Sequence, residues 1–177
     1  MKIKADFVTN SSSSAFVVFW PHPIKEKEDV AMFIKRDDFV QQIFRDAEKQ
    51  PETIVPPIKE ARGLVQKIAD EIDHGYLEEV DEHGGGYDWN YDKKFCDNHG
   101  ITKEQLESNF QWREQMWQEQ HQIKMQRCIV VATKIVKKHE GKYVYFFEYA
   151  DEDGSFFSAL EHENDWGGQD HVRISKH

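Results

Sequence analysis

Five apolar residues, Ala15-Phe16-Val17-Val18-Phe19, stand between four serines (Ser11, Ser12, Ser13 and Ser14) and the sequence Trp20-Pro21-His22-Pro23. Aromatic and β-branched residues bounded by turn formers read as a strand, and proline, which has no N–H for a ladder, ends it. Ahead of the serines, Lys2-Ile3-Lys4-Ala5-Asp6-Phe7-Val8-Thr9 alternates with the period of another strand. The chain is therefore expected to open with an antiparallel hairpin, so its fold must contain a sheet.

A second hairpin is expected late in the chain. Cys128 to Val136 is β-branched and apolar, Lys137 to Lys142 reads as a turn, and Tyr143 to Tyr149 is aromatic and β-branched. His171 to His177 reads as a closing strand with Val172 and Ile174 on one face. Helical periodicity fills the interval between. Phe39, Val40, Ile43, Phe44 and Ala47 predict a helix from Asp38 to about Lys49, with Asp37 or Asp38 as N-cap. Val30 to Ile34 fits a short strand or the start of a helix. Ile58, Ala61, Val65, Ile68 and Ile72 form one stripe behind Pro57 as first helical residue, with His74 in the last turn and Gly75 after it. Thr102-Lys103-Glu104-Gln105 is a capping box opening a helix to about Lys124, with Leu106, Phe110 and Trp117 in one row. A weaker capping signal at Ser158 to Glu161 suggests a short helix near Phe156 to Glu163. Together these give an α+β fold: a single domain over residues 1–177, a mostly antiparallel sheet of about five strands, and three or four helices packed on it. Residues 76–99 are expected as an acidic, aromatic, glycine-containing loop.

Charge is distributed unevenly. The formal net charge is −10. Ile68 to Asp92 holds nine acidic residues, Tyr143 to Val172 holds eight, and neither segment has a Lys or Arg. Carboxylates repel a phosphate backbone, so direct nucleic-acid binding through these segments is excluded. A basic protein partner, a divalent cation or simple solubility fits them. No apolar run approaches the ~20 residues of a membrane span, and no leader pattern is evident at Met1 to Ser14, which points to the cytoplasm, or to a virion if the gene is viral. Cys96 and Cys128 match no metal or redox spacing and read as free buried thiols.

Two groups of side chains are candidates for a site. The first is a partner-binding surface made of Tyr76, Glu78, Glu79, Asp81, Glu82, Tyr87 and Trp89, together with Ser11, Ser12, Ser13 and Ser14. The second is a cluster of His162, Asp165, Asp170, His171 and His177, whose imidazoles and carboxylates suit a divalent metal ion. In a strand His171, Arg173, Ser175 and His177 share a face, for which the plain reading is the polar outer side of an edge strand. His83-Gly84-Gly85-Gly86 lacks the strand, helix and lysine of a phosphate loop. Asp151 to Ser155 fails the calcium-loop pattern, because glycine falls at its fourth position.

Phe7-Val8-Thr9-Asn10-Ser11-Ser12-Ser13-Ser14 followed by Ala15 to Phe19 resembles an N-terminal FVTNSSSS motif shared by uncharacterised bacterial and phage proteins. The resemblance covers residues 7–19 and implies no activity. With no catalytic signature, the expected function is a non-enzymatic interaction protein, possibly phage-encoded, that meets a protein partner through acidic and aromatic surfaces without a cofactor. The alternatives are a metal-dependent hydrolase or nuclease built on the C-terminal cluster, and a structural component of a virion whose N-terminal hairpin pairs with a neighbour's sheet edge.

Overall fold

A computed structural model describes residues 13–77, 80, 90–150, 160 and 166–176. The chain divides into two compact units, Met1–Ile54 with Lys142–His177, and Val55–Gly141.

The first unit holds the sheet. Strand β1 (Ser13–Trp20) lies at its centre, flanked by β2 (Tyr143–Ala150) and β3 (Asp170–Lys176), both antiparallel to it. Paired residues share a face of the sheet. Phe16 pairs with Phe147 and Arg173, Val18 with Tyr145 and His171, and Ser14 with Tyr149 and Ser175. Onto this face pack helix α1 (Lys27–Ala31) and helix α2 (Asp37–Glu48), which contribute Val30, Phe39, Val40, Ile43 and Ala47. Burying each large side chain stabilises by roughly 1.5–3 kcal/mol. Two polar tips in this core are partnered, whereas the buried Trp166 indole N–H meets no acceptor among the described residues. The Trp20 indole donates to the Asp29 carbonyl at 3.3 Å, and the Tyr145 hydroxyl accepts the Ile24 N–H at 2.7 Å.

The second unit is helical. Helix α3 (Arg62–Asp73) packs along α6 (Phe110–Lys138), and α4 (Tyr91–His99) and α5 (Lys103–Ser108) also contact α6. On α6, Cys128, Ala132 and Val136 are buried at four-residue steps; on α3, Val65, Ile68, Ala69 and Ile72 are buried. Lys124 of α6 donates to the Asp73 carbonyl at 2.8 Å. Tyr91, Phe95, Cys96, Leu106 and Met116 form a separate core between α4, α5 and α6.

The structure corrects the expected architecture. Among the described residues there are three strands, not about five, and six helices, not three or four. The late hairpin is the main error: Cys128 to Val136 is helical, and only its second arm, β2, is a strand. The β-branched run misleads because helix propensities differ by only a few tenths of a kcal/mol among ordinary residues, while packing against α3 selects every fourth side chain. Both edges of β1 are filled, by β2 and β3; the first arm of the early hairpin, residues 2–9, lies outside the described residues.

Smaller corrections concern helix boundaries. Val30 belongs to helix α1. Pro57 opens a turn closed by the Glu60 N–H on the Pro57 carbonyl, and α3 begins only at Arg62. The Thr102 capping box is present but opens a six-residue helix. Asn109 then recaps the chain, accepting the Gln111 N–H at 2.9 Å, so that Leu106 and Phe110 lie on different helices. The last part of the expected 76–99 loop is helix α4, stopped by Gly100 in the left-handed region at φ 63°. The short helix expected near 156–163 falls outside the described residues apart from Leu160, which is buried.

Candidate functional site

Helix α6 has 29 residues, a length of about 44 Å at 1.5 Å per residue. The other helices of its unit are much shorter, so α6 keeps long stretches of solvent face. Four large apolar side chains stand there: Phe110 is 68% exposed, Trp117 56%, Ile123 41% and Val130 55%. Phe110 and Trp117 are seven residues apart, two helical turns, and share one stripe; Ile123 and Val130 repeat that spacing on another. Amphipathic helices normally turn such residues inward. The row of Phe110 and Trp117 read from the sequence is present, but it faces solvent.

Beside the N-terminal half of α6 lies a polar cluster. Glu119 receives the Tyr91 hydroxyl at 3.3 Å and the Gln115 amide at 3.0 Å, and His99 Nε2 lies 3.2 Å from the same carboxylate. The His99 ring sits 4.2 Å from that of Phe95 and 5.5 Å from that of Trp112. Burial, and then the neighbouring Glu119 charge, push the Tyr91 phenol above its ordinary value. The cluster ties α4 to α6. The spacing of Tyr91, Phe95 and His99, closed by Gly100, is the helical signal in the sequence that would have found it.

Most of the sequence-derived candidates lie outside the described residues. Tyr76 is described and is 43% exposed. Glu78, Glu79, Asp81, Glu82, Tyr87, Trp89, Ser11 and Ser12 lie outside the described residues. Ser13 and Ser14 belong to β1 rather than to a turn: the Ser13 hydroxyl donates to the Lys176 carbonyl at 3.4 Å, and Ser14 is buried.

Of the metal-ligand candidates, His162, Asp165 and His177 lie outside the described residues. Asp170 pairs with Lys142 at 2.8 Å. His171 Nδ1 lies 3.1 Å from the Gln169 carbonyl oxygen, with its ring 6.1 Å from Trp166. Adjacent strand residues point to opposite faces, so Asp170 and His171 do not converge. The register also places His171, Arg173 and Ser175 on the sheet face of Phe16 and Val18, the helix-covered side, and not on a polar outer side. Among the described residues no three His, Cys, Asp or Glu side chains are grouped to hold a metal ion, and no helix is long and apolar enough to cross a membrane. Cys96 and Cys128 are both buried, and neither forms a disulfide.

No protein-family model, curated protein or solved structure matches the chain.

Proposed function

We propose that the chain is a non-enzymatic interaction protein that holds a protein partner through the exposed aromatic stripe of α6. The observation that carries this reading is the exposure of Phe110 and Trp117 two turns apart on one helix. Aromatic side chains presented on a rigid helix lose little conformational entropy when covered, and tryptophan is prominent among residues that dominate binding energy. Between the two rings on the same stripe stand Arg113 and Glu114, one charge of each sign, which give a partner polar groups to meet around the aromatic anchors. Tyr76, exposed at the end of the segment that follows α3, supplies an aromatic group of the kind expected from the sequence.

The test is photo-crosslinking in the native host with a benzophenone amino acid at Phe110, compared with the same group at Lys67 on α3. A discrete protein adduct from Phe110 alone, lost when Trp117→Ala is added, supports the reading. No adduct, or the same adducts from Lys67, overturns it.

A further inference from the structure

The C-terminal half of α6 carries a second face of different chemistry. Ile123, Arg127, Val130, Lys134 and Lys137 follow one another at steps of four, three, four and three residues, the spacing of a single helix stripe. All five are exposed. The buried positions Cys128, Ala132 and Val136 fall on the other side of the helix. From Gln120 to His139 there is no acidic residue, although the protein's net charge is −10. Among the described residues, Arg127, Lys134 and Lys137 make no ion pair, whereas Lys103, Lys124, Lys142 and Lys176 each do. The stripe therefore spans about 21 Å, with two apolar side chains set among three uncompensated cations.

We infer that this stripe binds an acidic amphipathic helix of another protein, with apolar side chains covering Ile123 and Val130 and carboxylates facing Arg127, Lys134 and Lys137. Charge complementarity selects an acidic occupant, and the seven-residue apolar spacing matches the anchor spacing of a helix laid along a helix. A nucleic acid fits less well. Val130 would sit between the cations and the phosphates, and the protein's own net charge repels an extended polyanion. An anionic membrane fits less well too, because two aliphatic side chains bury little apolar area. The face is separate from the Phe110 and Trp117 stripe, so this inference does not depend on the function proposed above.

The experiment is fluorescence anisotropy of the full chain with a labelled amphipathic helical peptide of glutamate and leucine, run beside a labelled DNA duplex and phosphatidylserine vesicles. The expected result is saturable binding of the peptide, weakened about tenfold by Val130→Glu and by the pair Arg127→Glu and Lys134→Glu, and weakened by salt. These positions are exposed, and circular dichroism checks that the variants fold. Trp117→Ala is expected to leave peptide binding intact while abolishing the crosslink from the benzophenone group at position 110. Failure of one surface is thus visible apart from failure of the other. Absent peptide binding, equal binding by the charge-reversed variants, or preference for DNA or vesicles overturns the inference. Sedimentation showing a dimer that Val130→Glu dissolves also overturns it, by assigning the face to a second copy.

Discussion

The carboxamide of Gln50 closes on both main-chain polar groups of Phe146: the Phe146 N–H donates to Gln50 Oε1 at 2.9 Å, and Gln50 Nε2 donates to the Phe146 carbonyl at 2.7 Å. One side chain thereby imitates a residue of a neighbouring strand. Two residues earlier the Val144 N–H donates to the Thr53 carbonyl at 3.1 Å, and Ile54 bridges to Tyr143. The outer edge of β2 is covered in this way, and an uncovered edge is a template for pairing with other chains. Gln50→Leu keeps the volume and removes both bonds. The expected cost is about 1–3 kcal/mol in urea unfolding, with faster aggregation on gentle heating. Gln50→Glu is expected to be at least as harmful, because a carboxylate oxygen would then face the Phe146 carbonyl. An unchanged urea midpoint in both variants would show that the edge needs no cover.

Gly167 and Gly168 make a matched pair for testing backbone strain. Both lie in the left-handed region, at φ 61° and 78°. A β-carbon on Gly167 would press into the Phe33 main chain, 2.6 Å from the carbonyl carbon, while one on Gly168 meets nothing within 4 Å. Gly168→Ala should cost only the conformational penalty, about 1–2 kcal/mol. Gly167→Ala adds an overpacking cost of about 1–3 kcal/mol. Thermal melts of the two variants are expected to separate clearly, and equal melting temperatures would count against the close approach at Phe33.

Asp29 organises the entry to α1. Its Oδ2 accepts the Lys25 N–H at 2.8 Å and the Glu26 N–H at 3.0 Å. The bond from Lys25 is the largest cause holding this carboxyl below its ordinary value. A lowered folded value means that the unfolded chain takes up the proton first. The stabilisation is therefore whole above about pH 4 and is lost as pH falls through the folded value. Asp29→Asn removes that dependence. In urea melts it is expected to be weaker than the parent near neutrality by about 0.5–2 kcal/mol, with the gap narrowing in acid. A gap that stays constant between neutral and acid pH would contradict the assignment.

The elements legible in the sequence are those whose local pattern agrees with their packing. Ala15 to Phe19, Tyr143 to Tyr149 and Val172 with Ile174 are apolar runs or alternations and became β1, β2 and β3. Phe39, Val40, Ile43 and Ala47 repeat at helical spacing and line one side of α2. The failures occur where composition and period disagree. Ile129, Val130 and Val131 carry strand propensity, yet Cys128, Ala132 and Val136 carry the helical period that packing against α3 rewards. Tyr91 to His99 was hidden because Asp92, Lys93, Lys94, Asp97 and Asn98 make it look like a loop, and only Phe95 and Cys96 beside Tyr91 face its core. For the site, the row of Phe110 and Trp117 was legible, but its exposure was not, since periodicity cannot say which stripe of a long helix a shorter neighbour will leave bare.

Glu119 supplies the last prediction, because one carboxylate gathers contacts from two helices. Tyr91 and His99 belong to α4, and Gln115 lies one turn earlier on α6. Glu119→Ala leaves the Tyr91 hydroxyl and the His99 ring without this acceptor, in a site that water partly reaches, so the expected loss is about 1–2 kcal/mol. Hydrogen exchange should localise it: protection falls across α4, while amides at the α3–α6 seam, near Ile68 and Ala132, keep theirs. The alkaline limb adds a sign. The Tyr91 phenol is raised mainly by burial and secondarily by the Glu119 charge. A raised phenol contributes stability that is present below about pH 10 and lost as pH rises through its folded value. Removing Glu119 leaves burial in place, so this loss should level off at lower pH and be smaller than in the parent without disappearing, whereas Tyr91→Phe should abolish it. If Glu119→Ala left the alkaline limb unmoved, the carboxylate would be a neighbour of Tyr91 without influence on it, and α4 would be held by the packing of Phe95, Cys96 and Met116 alone.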